Sequence, residues 1–221
     1  MSTTLAQIDL PAVLSALAER RPVFHSEADL QQELAWQVRL AHPDVGVRLE
    51  VRVPEPSRPG RRERVDLLFR CGRGAVVVEV KYLTDALSGV HDGEEFELPR
   101  QGAQDVSAYD VVKDIFRVEH FVMTGLADAG AVLVVSNDPA YWVDPAHGRV
   151  TGAAAFRLYD GSSLTGERAW GERSGPGTRK GREDAIPLHG NHRLRWRDFS
   201  SLPGVGSGRF RFLLVDVAPP Q

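Results

Sequence analysis

One stretch limits what this chain can fold into more than any other: RVDLLFRCGRGAVVVEVKY, from Arg64 to Tyr82. Val65-Asp66-Leu67-Leu68-Phe69 is apolar apart from one carboxylate. Gly72-Arg73-Gly74 then signals a tight turn between two β-prone runs. Ala75-Val76-Val77-Val78 leads directly into Glu79-Val80-Lys81. A run this short and this rich in valine suits a strand buried on both faces. Alternation along a strand puts Glu79 and Lys81 on one face and Val80 on the other. A carboxylate and an ammonium at the end of a buried strand are costly unless they are paired with each other or hold an ion. Two readings stay open on these residues alone. One is a Glu–Lys pair closing a strand. The other is a site in which Asp66 and Glu79 collect a hard divalent cation through oxygen, while Lys81 holds or helps deprotonate the attacking water and offsets charge on a phosphate.

An aspartate on one strand followed by (D/E)-x-K on the next resembles the PD-(D/E)XK nuclease superfamily, with Asp66 and Glu79-Val80-Lys81 in the motif positions. Val65 stands where the motif's name has proline. The resemblance implies an α/β domain with a restriction-endonuclease-like αβββαβ core, a mixed sheet and a nuclease activity dependent on Mg²⁺ (or Mn²⁺). The segments HSEADLQQELAW, EVKY and QGAQDVSAYDVVKDI are similar to bacterial proteins of that superfamily. This likeness names no substrate.

The rest of the chain carries further signals. Its 221 residues suit one domain over 1–221, with a core over about 24–140 and a β-rich C-terminal elaboration over about 150–221. Leu10, Val13, Leu14 and Leu17 fall at helical spacing within residues 1–21. Ser26 followed by Asp29 marks the start of a helix from Glu27 to about Ala41, ending before Pro43. Leu30, Leu34, Val38 and Ala41 make its apolar stripe; Glu27 lies near the middle of that stripe and Glu33 to its side. Glu27 therefore ranks ahead of Glu33 as a third carboxylate at the metal, with favourable placement at the helix N-terminus as the competing account. His25 reads as a local structural residue. Val47 to Val53 alternates as a half-exposed strand. A Pro-rich loop follows, with Arg58, Arg61, Arg62 and Arg64 concentrated before the motif strand. These arginines are either solvated or contact nucleic-acid phosphates beside the site.

Beyond Lys81, the acidic segment Asp92 to Pro99 reads as a cover over the site or a hairpin. A helix is expected from Arg100 to about Phe121, with Ala108, Val112 and Ile115 inward and Gln101 extending that stripe at its start. Gln101 resembles the auxiliary glutamine of several nuclease subfamilies, against the alternative of an amide satisfied by backbone. Asp110, Lys113, Asp114 and Arg117 read as surface charge. Gly130 to Ser136 is a further buried strand, which completes the αβββαβ order over about 26–137. In the last third, Phe156–Tyr159 is a candidate strand, and 161–183, carrying Arg173, Arg179, Lys180 and Arg182, is either a mobile loop over substrate or a disordered insertion. Ala185–Leu188, His192–Trp196 and Phe210–Val217 are further strands. Trp196 and Phe199 serve either as core anchors or, with Arg195 and Arg197, as a stacking surface for a nucleic-acid strand. His189 and His192 lack partner ligands at zinc spacing.

A formal net charge of −3 announces no global basic field, so any nucleic-acid surface must be local. The lone Cys71 excludes an internal disulfide framework and suits a reducing cytoplasm. The apolar runs are strand-sized, so no membrane partner is expected. The expected set is Asp66 and Glu79 on the metal, Glu27 as third carboxylate, the Val80 carbonyl as a further ligand, Lys81 on the water and phosphate, and Gln101 as auxiliary. Partners are nucleic acid, with DNA ahead of RNA, a protein partner that supplies specificity, and a second copy of the chain. The contrasting expectation is a nuclease-fold protein that binds without cutting.

Overall fold

The computed structural model describes residues 8–55, 60–72, 74–144 and 151–219. Arg58 and Arg73, together with the first seven residues of the expected N-terminal helix, lie outside this set. A six-stranded mixed sheet forms the centre. Its strands, in chain order, are β1 Gly46–Pro54, β2 Arg62–Cys71, β3 Gly74–Leu83, β6 Ala129–Ser136, β9 Trp196–Ser201 and β10 Arg209–Val217. Across the sheet the order is β1-β2-β3-β6-β10-β9. Only β3 and β6 run parallel, with Glu79 opposite Val132 and Lys81 opposite Val134. The other four pairings are antiparallel.

Both faces of the sheet are covered, which explains the continuous valine run of β3. Val76, Val78, Val80 and Tyr82 pack with α1 (Leu10–Arg20) and α2 (Glu27–Ala41). Ala75, Val77 and Leu83 pack with α3 (Gln104–Met123). The helices start where their residues can cap them. Asp9 accepts the Ala12 N–H at 3.0 Å, with Pro11 in the first turn of α1. Ser26 Oγ accepts the Asp29 N–H at 3.1 Å at the head of α2. The Asp29 carboxylate reaches past the cap to the His25 N–H and to Arg21.

Four expected elements differ. The strands expected over Ala185–Leu188 and His192–Trp196 are instead one strand over Ile186–Arg193 and a second that starts at Trp196. The helix after the acidic segment begins at Gln104, not Arg100, because Ala103 at its N-cap is left-handed with φ 58°. Gln101 therefore sits in the connecting segment, where its N–H donates to the Thr84 carbonyl. Phe156 ends a 3-10 turn, Ala154–Phe156, in place of a strand over Phe156–Tyr159. The 161–183 stretch is not a bare insertion: it supplies β7 (Ser163–Arg168) and a short helix, α4 (Pro176–Arg179). β7 pairs with β8 (Ile186–Arg193), and this ribbon packs its Leu164, Ile186 and Leu188 against the α3 side of the core. The acidic segment is a hairpin of β4 (Leu87–His91) and β5 (Glu94–Leu98), turned by Asp92 and Gly93, both at positive φ. Trp196 is an anchor: it is buried and its Nε1 donates to the Leu158 carbonyl at 2.7 Å. No helix among the described residues is long and apolar enough to cross a membrane.

Candidate functional site

The site forms where β2 and β3 part. Their ladder runs from the Cys71–Gly74 pair to Leu67–Val78 and stops. One residue further, Glu50 of β1, the residue facing Asp66, has φ 52° and drops out of the β1–β2 register. Alternation on β2 slips at the same level, since Val65 and Leu68 both pack on the α3 side. Beyond this break the edge of β3 is closed by side chains. The Val80 N–H donates to Asp66 Oδ2 at 2.8 Å. The Tyr82 N–H donates to Glu27 Oε2 at 3.0 Å. Gln101 Nε2 donates to the Tyr82 carbonyl at 3.1 Å, and Lys81 Nζ lies 3.4 Å from the Val80 carbonyl. Asp66, Lys81, Gln101 and Glu27 thus converge on one strand edge from four different elements. Glu33 is elsewhere, paired with Arg20 and Arg21.

The opposite wall is α3, and two of its residues correct the sequence reading. Asp114 and Arg117 are not surface charge. Asp114 is 5% exposed, with Oδ2 3.1 Å from Lys81 Nζ and Oδ1 2.8 Å from Arg117. Arg117 also lies 3.1 Å from Glu79 and 2.9 Å from Glu63. Lys81 is drawn to Asp114 more closely than to Glu27, which is 4.0 Å away. A signal existed in the sequence: Val111, Asp114, Ile115, Val118 and Phe121 share one helical stripe, which places a carboxylate among core positions.

Five carboxylates (Glu27, Glu63, Asp66, Glu79, Asp114) face two cations (Lys81, Arg117), a formal local charge of −3 by subtraction. The proton affinities follow. Burial raises the pKa of Glu27, against the pull of Lys81. Burial likewise raises Asp66, against the Val80 N–H and Lys81. Glu79, 1% exposed, is pushed well above the carboxylate range by burial and by Asp114, despite Arg117. Burial would lower the Lys81 pKa, but Asp114, Glu27 and Asp66 outweigh it and hold the ammonium well above its ordinary value. Lys81 thus stands as an ammonium among carboxylates, placed to donate hydrogen bonds.

Asp66 and Glu79 belong to one buried carboxylate group, and the Asp66 charge adds to the rise at Glu79. Carboxylates buried together need protons or a cation beside them. The donor chemistry therefore fits a hard divalent ion on Asp66 and Glu79, with Glu27 and the Val80 carbonyl alongside. Glu79 Oε1 is buried without a hydrogen bond, as are Glu63 Oε1 and Asp114 Oδ2. The arrangement itself is not a finished cage: among the described residues, no group of three or more His, Cys, Asp or Glu stands ready to hold a metal.

Around this centre, Arg61, Arg62 and Arg64 are exposed on the β2 side. Arg62 donates to the Arg52 carbonyl, and Arg64 pairs loosely with Glu50 at 3.2 Å. His25 stacks on Phe96 and bonds Glu94 at 2.8 Å, away from the carboxylates. His192 is committed to Glu119 at 2.8 Å, on the far side of α3. No family model matches the chain, and no curated protein or solved structure is significantly similar to it.

Proposed function

We propose that this chain is a Mg²⁺-dependent (or Mn²⁺-dependent) nuclease that hydrolyses phosphodiester bonds of nucleic acid, DNA ahead of RNA, on a restriction-endonuclease-like core in the cytoplasm. The observation that carries the reading is the convergence of Asp66 and Glu27 on the edge of β3, beside buried Glu79 and Lys81, at the point where β2 leaves β3. A buried pair of carboxyls with raised proton affinity is poor as a structural device and good as a divalent-cation trap. The order helix, three strands, helix, strand over α2, β1–β3, α3 and β6 supports the core, with the β4–β5 hairpin inserted and β10 and β9 extending the sheet.

Asp66, Glu79 and Glu27 would hold the ion, with the Val80 carbonyl as a neutral ligand. A divalent ion bound there supplies an activated water and neutralises charge on the phosphate. Lys81, held between Asp114 and Glu27, offsets charge that develops on the phosphoryl oxygens. Gln101, fixed through the Tyr82 carbonyl, orients water or phosphate at the rim. Arg61, Arg62 and Arg64 provide backbone-phosphate contacts near the cleavage point.

A second reading, binding without cutting, draws on a specific observation: Glu79 is engaged by Arg117, and the described carboxylates form no ready metal cage. A cleavage panel separates the two. Single- and double-stranded DNA and RNA are incubated with the protein in Mg²⁺, Mn²⁺ or EDTA, beside Lys81→Ala. Metal-dependent cutting that disappears in the variant is expected. Nucleic-acid binding without cutting in any metal would select the silent reading.

A further inference from the structure

Arg117 forms ion pairs with three carboxylates. Its guanidinium contacts Glu79 at 3.1 Å, Asp114 at 2.8 Å and Glu63 at 2.9 Å, and one amino group donates to the Arg64 carbonyl. The side chain is 13% exposed and stands over the Phe121 ring. The hold on Glu79 is close but poorly aligned. Glu79 Oε1 and Arg117 Nε lie within ion-pair distance of their partners yet make no hydrogen bond there. By contrast, Arg117 Nη1 to Asp114 Oδ1 is a formed hydrogen bond. The guanidinium is thus anchored firmly on its own helix and leans on Glu79 through charge alone.

Resting on the nuclease reading above, we propose that Arg117 is the built-in counter-cation of the site. It is a positioning residue that keeps its charge against Glu79 while no divalent ion is bound, and that sets how tightly the ion binds by competing for the same carboxylate. Asp114 links the two cations of the site, since its second oxygen faces Lys81 at 3.1 Å. Arg117 has somewhere to go when Glu79 turns to an ion: Glu63 and Asp114 keep it paired, so release from Glu79 does not leave a buried guanidinium uncompensated. The same geometry explains how Glu79 is tolerated in an almost dry position without metal.

The test is calorimetric titration of chelator-stripped protein with Mn²⁺ alone, comparing wild type, Arg117→Met and Arg117→Lys, with folding checked by circular dichroism. Removing a unit charge beside the ion tightens Mn²⁺ binding by about tenfold or more in Arg117→Met. Arg117→Lys, which keeps the charge but loses the multi-pronged anchor, is expected to tighten it by less. If Arg117→Met does not fold, Arg117→Lys decides. Unchanged or weaker Mn²⁺ binding in the folded variants overturns the inference and leaves the metal-site reading standing. No Mn²⁺ binding by any of the three proteins overturns both. A merely structural role would lower the melting temperature and leave the dissociation constant where it was.

Discussion

Gly130 offers a sharp test of how α3 is seated on the sheet. A Cβ at this position would lie 2.4 Å from Val118 Cγ1 and 2.8 Å from Val77 Cγ2, with the Val77 carbonyl at 3.1 Å. One neighbour belongs to α3 and the other to β3, so no single rotamer change makes room. Overpacking a well-filled core costs about 1–3 kcal/mol, and Gly130→Ala belongs at the upper end, about 3 kcal/mol. With a urea slope of about 2–3 kcal/mol/M for a chain of this size, the midpoint should fall by about 1 M. Val118→Ala alone removes two methyl groups and leaves a cavity, at a cost of about 2 kcal/mol. The double variant should be less damaged than the sum by at least about 1 kcal/mol, because the second change vacates space the first needs. Urea melts followed by far-ultraviolet circular dichroism and tryptophan fluorescence give all four corners of the cycle. Additive losses, or a Gly130→Ala cost below about 1 kcal/mol, would refute a tightly seated α3. They would also loosen the claim on the site, since Asp114 and Arg117 ride on the same helix, within a turn or so of Val118.

Glu27, Asp66 and Glu79 have pKa values raised above 4.5, 3.8 and 4.5, so the folded chain holds protons that the unfolded chain has released. Each therefore subtracts stability as pH rises from about 4 through its folded pKa. In EDTA, Asp66→Asn should raise the melting temperature at about pH 7.5 more than at about pH 5; an equal effect at both would contradict the assignment. Added Mg²⁺ should raise the wild-type melting temperature more at the higher pH, where the ion need not displace protons. Glu119 accepts the His189 and Gly190 N–H groups and His192 Nε2, so Glu119→Ala strands three buried or half-buried donors; a loss of about 3 kcal/mol in a urea melt is expected. A loss below about 1 kcal/mol would mean water replaces the carboxylate.

Local rules made much of this legible. The Val65–Lys81 hairpin, the bounds of α2, the inner stripe of α3 and strands β6 and β10 each follow from a short-range signal: β-branched runs, a serine cap, apolar spacing. The facing of Glu27 against Glu33 was also readable, because a helix of fixed pitch leaves little freedom once its stripe is known. What was not legible depended on distant partners. Asp114 and Arg117 look like any solvated pair until β3 is seen to place Glu79 and Lys81 against them. The 161–183 stretch looks unstructured because β7 gains its order from β8, some twenty residues on. Gln101 looked helical because apolar spacing continued through it, and only the left-handed Ala103 shows where the helix must begin.

The parting of β2 from β3 has a consequence outside chemistry. Beyond Val78, β3 has no β2 ladder beside it, and amides left open there would be a template on which another chain can add. Asp66 and Glu27 occupy its amide groups with negative charge, which a recruited strand would have to displace. The acids that make the site costly to bury therefore also guard against self-association. Neutral truncations at both positions would expose a sticky edge, so a variant lacking both is expected to be less soluble than either single change.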